Sequence, residues 1–190
     1  VFADDISDFE IEGMSIGDSL LDYMTEDEIL KEIEISKNDY LHLNEPNRYA
    51  EVYIFADFST FDKMAFFIKN NPKNQYVTNK NEKYTILSIR GLIDYIEDFD
   101  SCIIKRDEVV GELTKMFPNA QKNEFAIKHS VDPSGNSIVD GVELVFDSRD
   151  KAQVHCSNYE ETFRIKNKRS EGLSVAIRKV EIRDWLNNHN

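Results

Sequence analysis

The chain has 190 residues and a formal net charge of -13, and its 12 Phe, 8 Tyr and single Trp sit among ordinary aliphatic residues. That is enough apolar material for a packed core, in one domain spanning 1–190 or in two small similar halves, and it excludes a disordered chain. No apolar run approaches the roughly 20 residues that cross a bilayer as a helix, and the negative balance disfavours nucleic acid, whose binding begins with a positive patch.

The charge is unevenly spread: 12 of the 36 acids lie in residues 1–35, against one base, Lys31. An acidic face can steer a basic partner, and the plainer reading is a solvated helix surface. Val1-Phe2-Ala3 puts small or branched residues at the first and third positions before Asp4, the pattern that signal peptidase reads. A cut between Ala3 and Asp4, and hence an exported protein, is expected. Gly13-Met14-Ser15-Ile16-Gly17 matches G-x-S-x-G, the nucleophile elbow of serine hydrolases. That elbow follows several strands of a parallel sheet, whereas only 12 residues precede it here. Its partners would have to come from His129, His155 or His189 with an acid. The same residues also read as a helix start, with Ser15 as N-cap, Asp18 in the capping-box position, and Leu20, Leu21 and Met24 turned inward. Thr25 and Glu28 make a second box ahead of Ile29, Leu30 and Ile33, so two short helices are expected between about residues 16 and 34.

The run Ile11-Glu12-Gly13-Met14-Ser15-Ile16-Gly17-Asp18-Ser19-Leu20-Leu21-Asp22-Tyr23 resembles the opening of a family of small exported proteins of unknown function from marine alphaproteobacteria. The similarity continues at lower density through Ser88-Ile89-Arg90-Gly91, Cys102, Glu112-Leu113, Phe117 and Cys156, and then Val175, Ile177 and Asp184-Trp185-Leu186. The resemblance implies export, a single soluble domain and a Cys102–Cys156 pairing. It implies no activity. This chain departs from the pattern at Ser157-Asn158-Tyr159, and no surface role is carried onto those positions.

Residues 50–57 and 62–69, rich in aromatic and branched side chains, read as a hairpin, with Phe55, Phe58, Phe61, Phe66 and Phe67 as core or as the lining of a groove. Residues 70–83 read as a protruding polar loop and 84–89 as the next strand. From Ser101 to Phe117 the apolar residues repeat with a helical period, placing Cys102, Val109, Leu113, Met116 and Phe117 on one face. Ser101 is the expected N-cap, and Pro118 stops the helix because it cannot donate to the previous turn.

Beyond it, 124–131 and 137–146 form another expected hairpin, with Ile138, Val142, Leu144 and Phe146 on one face and Asp140 breaking the pattern. Asp132, Ser134, Asn136, Asp140 and Glu143 partly match a calcium loop, but its glycine position is Ser137 and strands flank it; a Pro-Ser-Gly-Asn turn accounts for the same residues. In 152–156 alternation sets Ala152, Val154 and Cys156 inward and His155 outward. By the residues alone, Cys102 and Cys156 are either bridged or two buried free thiols. A basic loop (Arg164, Lys166, Lys168, Arg169), a strand at 173–177 and a closing helix over about 179–187, docking Val180, Trp185 and Leu186, complete the chain.

These elements predict an α+β fold of antiparallel sheet with packed helices, in two tandem helix-plus-meander halves, 9–96 and 97–190. Small periplasmic modules of the lactamase-inhibitor and outer-membrane-assembly types share this element order by analogy of fold alone. No constellation for a nucleophile, metal, phosphate or cofactor is recognised. The expected function is a non-catalytic binding or interaction module of the cell envelope, periplasmic or secreted, whose partner is an envelope protein or a small ligand held on the sheet. The alternative is a hydrolase-type enzyme with Ser15, His129 and His155 as its first suspects.

Overall fold

In a computed structural model of the chain, the residues described are 5–38, 48–70 and 82–188. The expected cut at Ala3–Asp4, most of the polar loop 70–83, and His189 lie outside them. Among the described residues, nine strands and four α-helices build an α+β fold: a two-stranded hairpin, β1 (Glu10–Ile11) and β2 (Met14–Ser15), then α1 (Glu26–Ser36), β3 (Tyr49–Ile54), β4 (Lys63–Lys69), β5 (Ile86–Asp94), α2 (Phe99–Met116), β6 (Gln121–Lys128), β7 (Ile138–Val145), β8 (Lys151–Asn158), α3 (Glu161–Lys166), β9 (Gly172–Arg178) and α4 (Val180–Asn187). Strands three to nine make one antiparallel sheet in the order β3-β4-β5-β9-β8-β7-β6. The boundary between 9–96 and 97–190 thus falls within the sheet, at the β5–β9 pair, where the last strand of each helix-plus-meander meets the other.

Capping sets α1 as the residues predict: the Thr25 hydroxyl accepts the Glu28 N–H, and the Glu28 carboxylate accepts the Thr25 N–H at 2.9 Å. The helix expected before it does not form. Half of its box is present, since Asp18 accepts the Ser15 N–H at 3.0 Å. However, Gly17 sits at φ +96, a left-handed conformation that leaves the helical path, and Glu12 and Gly13 at φ 53 and 77 fold 10–15 into the β1–β2 hairpin. Leu20–Asp22 is a single 3-10 turn capped by Ser19. The central helix starts earlier than expected, with Asp98 rather than Ser101 as N-cap, and ends before Pro118.

One face of the sheet carries the main core. Val52, Met64, Phe66, Ile89, Ile177, Val175, Val154 and Cys156 point to it and meet Ile29 and Ile33 of α1 and Cys102, Val110, Leu113 and Phe117 from α2 and its end. The predicted α2 face is corrected by one step: Val110 is buried, whereas Met116 is exposed because the helix ends there. Phe55 and Ile138 are also exposed rather than core; Phe55 lies past the end of β3, its ring stacked on Tyr53. Leu30 is exposed on α1 as well. Cys102 and Cys156 are bonded, tying the first turn of α2 to β8. No helix among the described residues is long and apolar enough to cross a membrane.

On the opposite face α4 packs only at one end, where Ile182, Trp185 and Leu186 meet Tyr49, Phe67 and Leu87. The Tyr49 and Trp185 rings meet edge to face at 5.0 Å, and the Tyr49 hydroxyl donates to Glu181 at 2.6 Å. The disulfide closes a separation of 54 residues, which the chain-entropy relation converts to about 4 kcal/mol. We therefore expect reductant to lower the urea midpoint of unfolding markedly. The Cys102→Ala/Cys156→Ala variant should match the reduced protein, and an unchanged midpoint would refute a stabilising bridge.

Candidate functional site

Strand alternation fixes what the second face presents. Across the sheet run the rows Tyr53–Ala65–Arg90–Ala176–Gln153 and Lys63–Leu92–Ser174–His155–Gly141–Phe125. Arg90 and Arg178 are thus arginines on the two central strands, where one face is wholly apolar and the other must accommodate charge. Small neighbours make this possible. Ala65 and Ala176 flank Arg90, whose guanidinium donates to the buried Glu51 carboxylate at 3.2 Å and approaches the Tyr53 hydroxyl at 3.4 Å.

His155 stands beside Ser174 on the neighbouring strand. On its other side is Gly141, where a Cβ would come within 2.7 Å of the Phe125 ring and 2.6 Å of the His155 Cβ. The glycine therefore lets Phe125 lie against the histidine and close that flank.

The segment from Tyr159 to Glu171, with α3 in it, forms the wall opposite. The sequence suggests only a basic loop there; instead Glu160 caps a short helix by accepting the Phe163 N–H at 2.7 Å, and Phe163 is buried. Glu171 pins the far end. It is buried, and its carboxylate accepts the N–H groups of Glu97 and Tyr159 at 2.9 and 3.0 Å, with Arg164 at 3.6 Å. Gly172, at φ +137, then lies so close to β5 that a Cβ would stand 2.3 Å from the Ile93 carbonyl oxygen. Between this wall and the sheet lies a cavity of about 410 Å³, lined among others by Arg90, His155, Ser157, Tyr159, Arg169 and Ser174.

Among the described residues, His155 Nδ1, Ser174 Oγ and Arg178 Nε are buried polar atoms on this side of the sheet with no protein hydrogen-bond partner. Burial, then the positive charges of Arg90 and Arg178, hold the His155 imidazole down to about 4. Burial and the same arginine neighbour pull Arg178 down to about 10. In an acidic protein this patch is locally positive, and His155 is neutral at pH 7.

The residues singled out for chemistry are not brought together. Ser15 lies in the β1–β2 hairpin, whose Ile11 and Met14 belong to the main core, on the other side of the sheet from His155. His129 packs against the rings of Tyr159 and Phe163. The calcium-like spacing is a turn: Asp132 accepts from the N–H and hydroxyl groups of both Ser134 and Ser137, which hold its carboxyl well below the usual range. Asp140 is paired with Arg106, and Glu143 with Lys151 at 2.7 Å. No group of three His, Cys, Asp or Glu side chains that could hold a metal occurs among the described residues.

His155 does lie on the face opposite Cys156, as alternation requires, but it is half-buried there instead of solvated. Sequence reasoning missed Arg90, Ser174 and Arg178 as a group. The available signal was polar residues at alternate positions of two otherwise apolar strands, Ser88 and Arg90 in β5 and Ser174 and Arg178 in β9.

Comparison with family models, with curated proteins and with solved structures finds no match to this chain. The site is therefore read from its own chemistry.

In an NMR titration the His155 ring should protonate near pH 4 rather than 6.5. Because the folded state holds the proton less tightly than the unfolded chain, this group lowers stability as pH falls from about 6.5 towards 4 and leaves it unaffected above that window. Arg90→Gln should move the midpoint upward by removing a positive neighbour. A midpoint at 6.5 in the unaltered protein would contradict the arrangement.

Proposed function

We propose that this chain is an exported, non-catalytic binding module that holds a small ligand in the cavity between the open sheet face and the Tyr159–Glu171 segment. The observation that carries the reading is Ser174: the residue is 3 % exposed, it lines the cavity, and its hydroxyl has no protein partner among the described residues. Buried polar atoms are ordinarily satisfied, so one left open towards a concave site is an invitation to a ligand or to water. The walls favour binding over reaction. His155, the ionisable ring in the cavity, has arginines rather than a carboxylate as its charged neighbours, so nothing orients it or raises its basicity as catalysis by a general base needs. Export is supported by the Cys102–Cys156 bond, a pairing that persists in oxidising compartments, and by the resemblance of the opening run to exported proteins.

Two measurements on protein recovered from its own cells test the two parts. Intact mass before and after reduction should give a chain beginning at Asp4 that gains two hydrogens; a longer N-terminus with free thiols would end the export reading. Native mass spectrometry should show a small molecule retained by the protein. It should be lost from Leu92→Trp, whose indole fills the cavity from β5. Retention of that molecule by a folded Leu92→Trp variant would place the ligand elsewhere and refute the site.

A further inference from the structure

The chemistry of the lining narrows the ligand to a class, an inference that rests on the cavity being a ligand site at all. The lining cations are Arg90, Lys168 and Arg169, and the lining carboxylates Asp94 and Glu171. These charges are not equivalent. Glu171 is buried, accepts two backbone N–H groups and is ion-paired with Arg164 at 3.6 Å, while Asp94 sits exposed at the end of β5. Glu51 accepts from Arg90 Nη2 at 3.2 Å. Further along β9 on the same face of the sheet, outside the cavity lining, Arg178 adds a second positive group, and its field acts on His155 together with that of Arg90. At the mouth, the Lys63 ammonium is held against the Ser170 hydroxyl.

An interior with this balance is unfavourable to a cation and indifferent to an apolar group. It is improved by a negative one, because each desolvated positive charge gains from an anion that enters a region of low dielectric. The donors also have the right form. A planar guanidinium, a hydroxyl and a ring nitrogen on adjacent strands can converge on the oxygens of a single small group, and guanidinium is the side chain best matched to carboxylate and phosphate oxygens.

The geometry points to a small oxyanion, a carboxylate or phosphate group, as the part of the ligand that this cavity recognises, held by the Arg90 guanidinium, the Ser174 hydroxyl and His155 Nδ1. Leu92 and the Tyr159 ring provide the less polar wall for whatever the group is attached to. The site belongs to the open face of the sheet and uses neither the disulfide nor the acidic N-terminal segment.

The test is calorimetric titration with inorganic phosphate, sulfate and succinate, with guanidinium chloride and sodium chloride as controls, followed in parallel by the ring signals of His155. At least one oxyanion should bind saturably and shift those signals; the controls should not. Ser174→Val removes a hydroxyl that has no protein partner, so it should fold as well as the parent and bind the oxyanion about tenfold more weakly, the loss of one charge-assisted hydrogen bond. Arg90→Met should abolish binding, and Glu51→Gln/Arg90→Met, which leaves no unpaired buried carboxylate, serves if the single variant fails to fold. Equal binding by the parent and Ser174→Val, or no response to any of the three anions, overturns the inference. If the small molecule carried from cells then proves to be neutral and shifts the His155 signals, the anion assignment fails and the binding reading stands. If nothing shifts them, both fail.

Discussion

The antiparallel pairing of β5 with β9 is the constraint on which the rest of the molecule depends. Seven residue pairs, from Ser88–Arg178 to Asp94–Gly172, join the last strand of the first helix-plus-meander to the last strand of the second. Without it there would be a three-stranded and a four-stranded sheet, each with an open edge. With it, one face becomes a continuous apolar floor for α1 and α2, and the other brings Arg90, Arg178 and Ser174 onto neighbouring positions. The same register that closes the core therefore assembles the polar site.

How far the amino-acid sequence anticipates this varies with the physics of each segment. Hairpins and the long helix are local: the short aromatic and branched run in 62–69 and the 3.6-residue period before Pro118 need no partner to be read, and both are present as strand and helix. The Thr25 and Glu28 box is equally local. The stretch from Ser15 to Met24 fails for a local reason too, since its capping chemistry is contradicted two residues later by Gly17 in a left-handed conformation. By contrast α3 is too short for a period, and its start depends on the Glu160 carboxylate turning back to the Phe163 N–H. The site is the least legible part, because Arg90 and Ser174 lie 84 positions apart and meet only through strand pairing.

Charge separation follows from the same geometry. The acids of residues 1–35 cap or solvate the first elements, as with Glu26 near Lys83 and Tyr84 and Glu28 on the Thr25 N–H. Positive groups gather instead on the open face, where Glu51 and Glu171 hold Arg90 and Arg164 in place. A protein of strongly negative net charge repels small anions at long range, while its open face is locally positive. The long-range repulsion weakens when salt shortens the screening length, and the close-range positive field of the face is less affected.

Both partners of the disulfide belong to 97–190, and the bond links α2 to β8 within a single helix-plus-meander. Its formation requires none of the strands that precede α2, so oxidation and the docking of the first part onto β9 are separable events. The first part has no covalent tie of its own across the sheet and is held by packing and by the β5–β9 ladder. Unfolding should then be graded along the chain, with the N-terminal side the first to open and the cross-linked side the last. Damage to the β5–β9 ladder would release a partly folded chain whose cysteines remain paired, so the covalent state of the protein is a poor report of whether its open sheet face is intact.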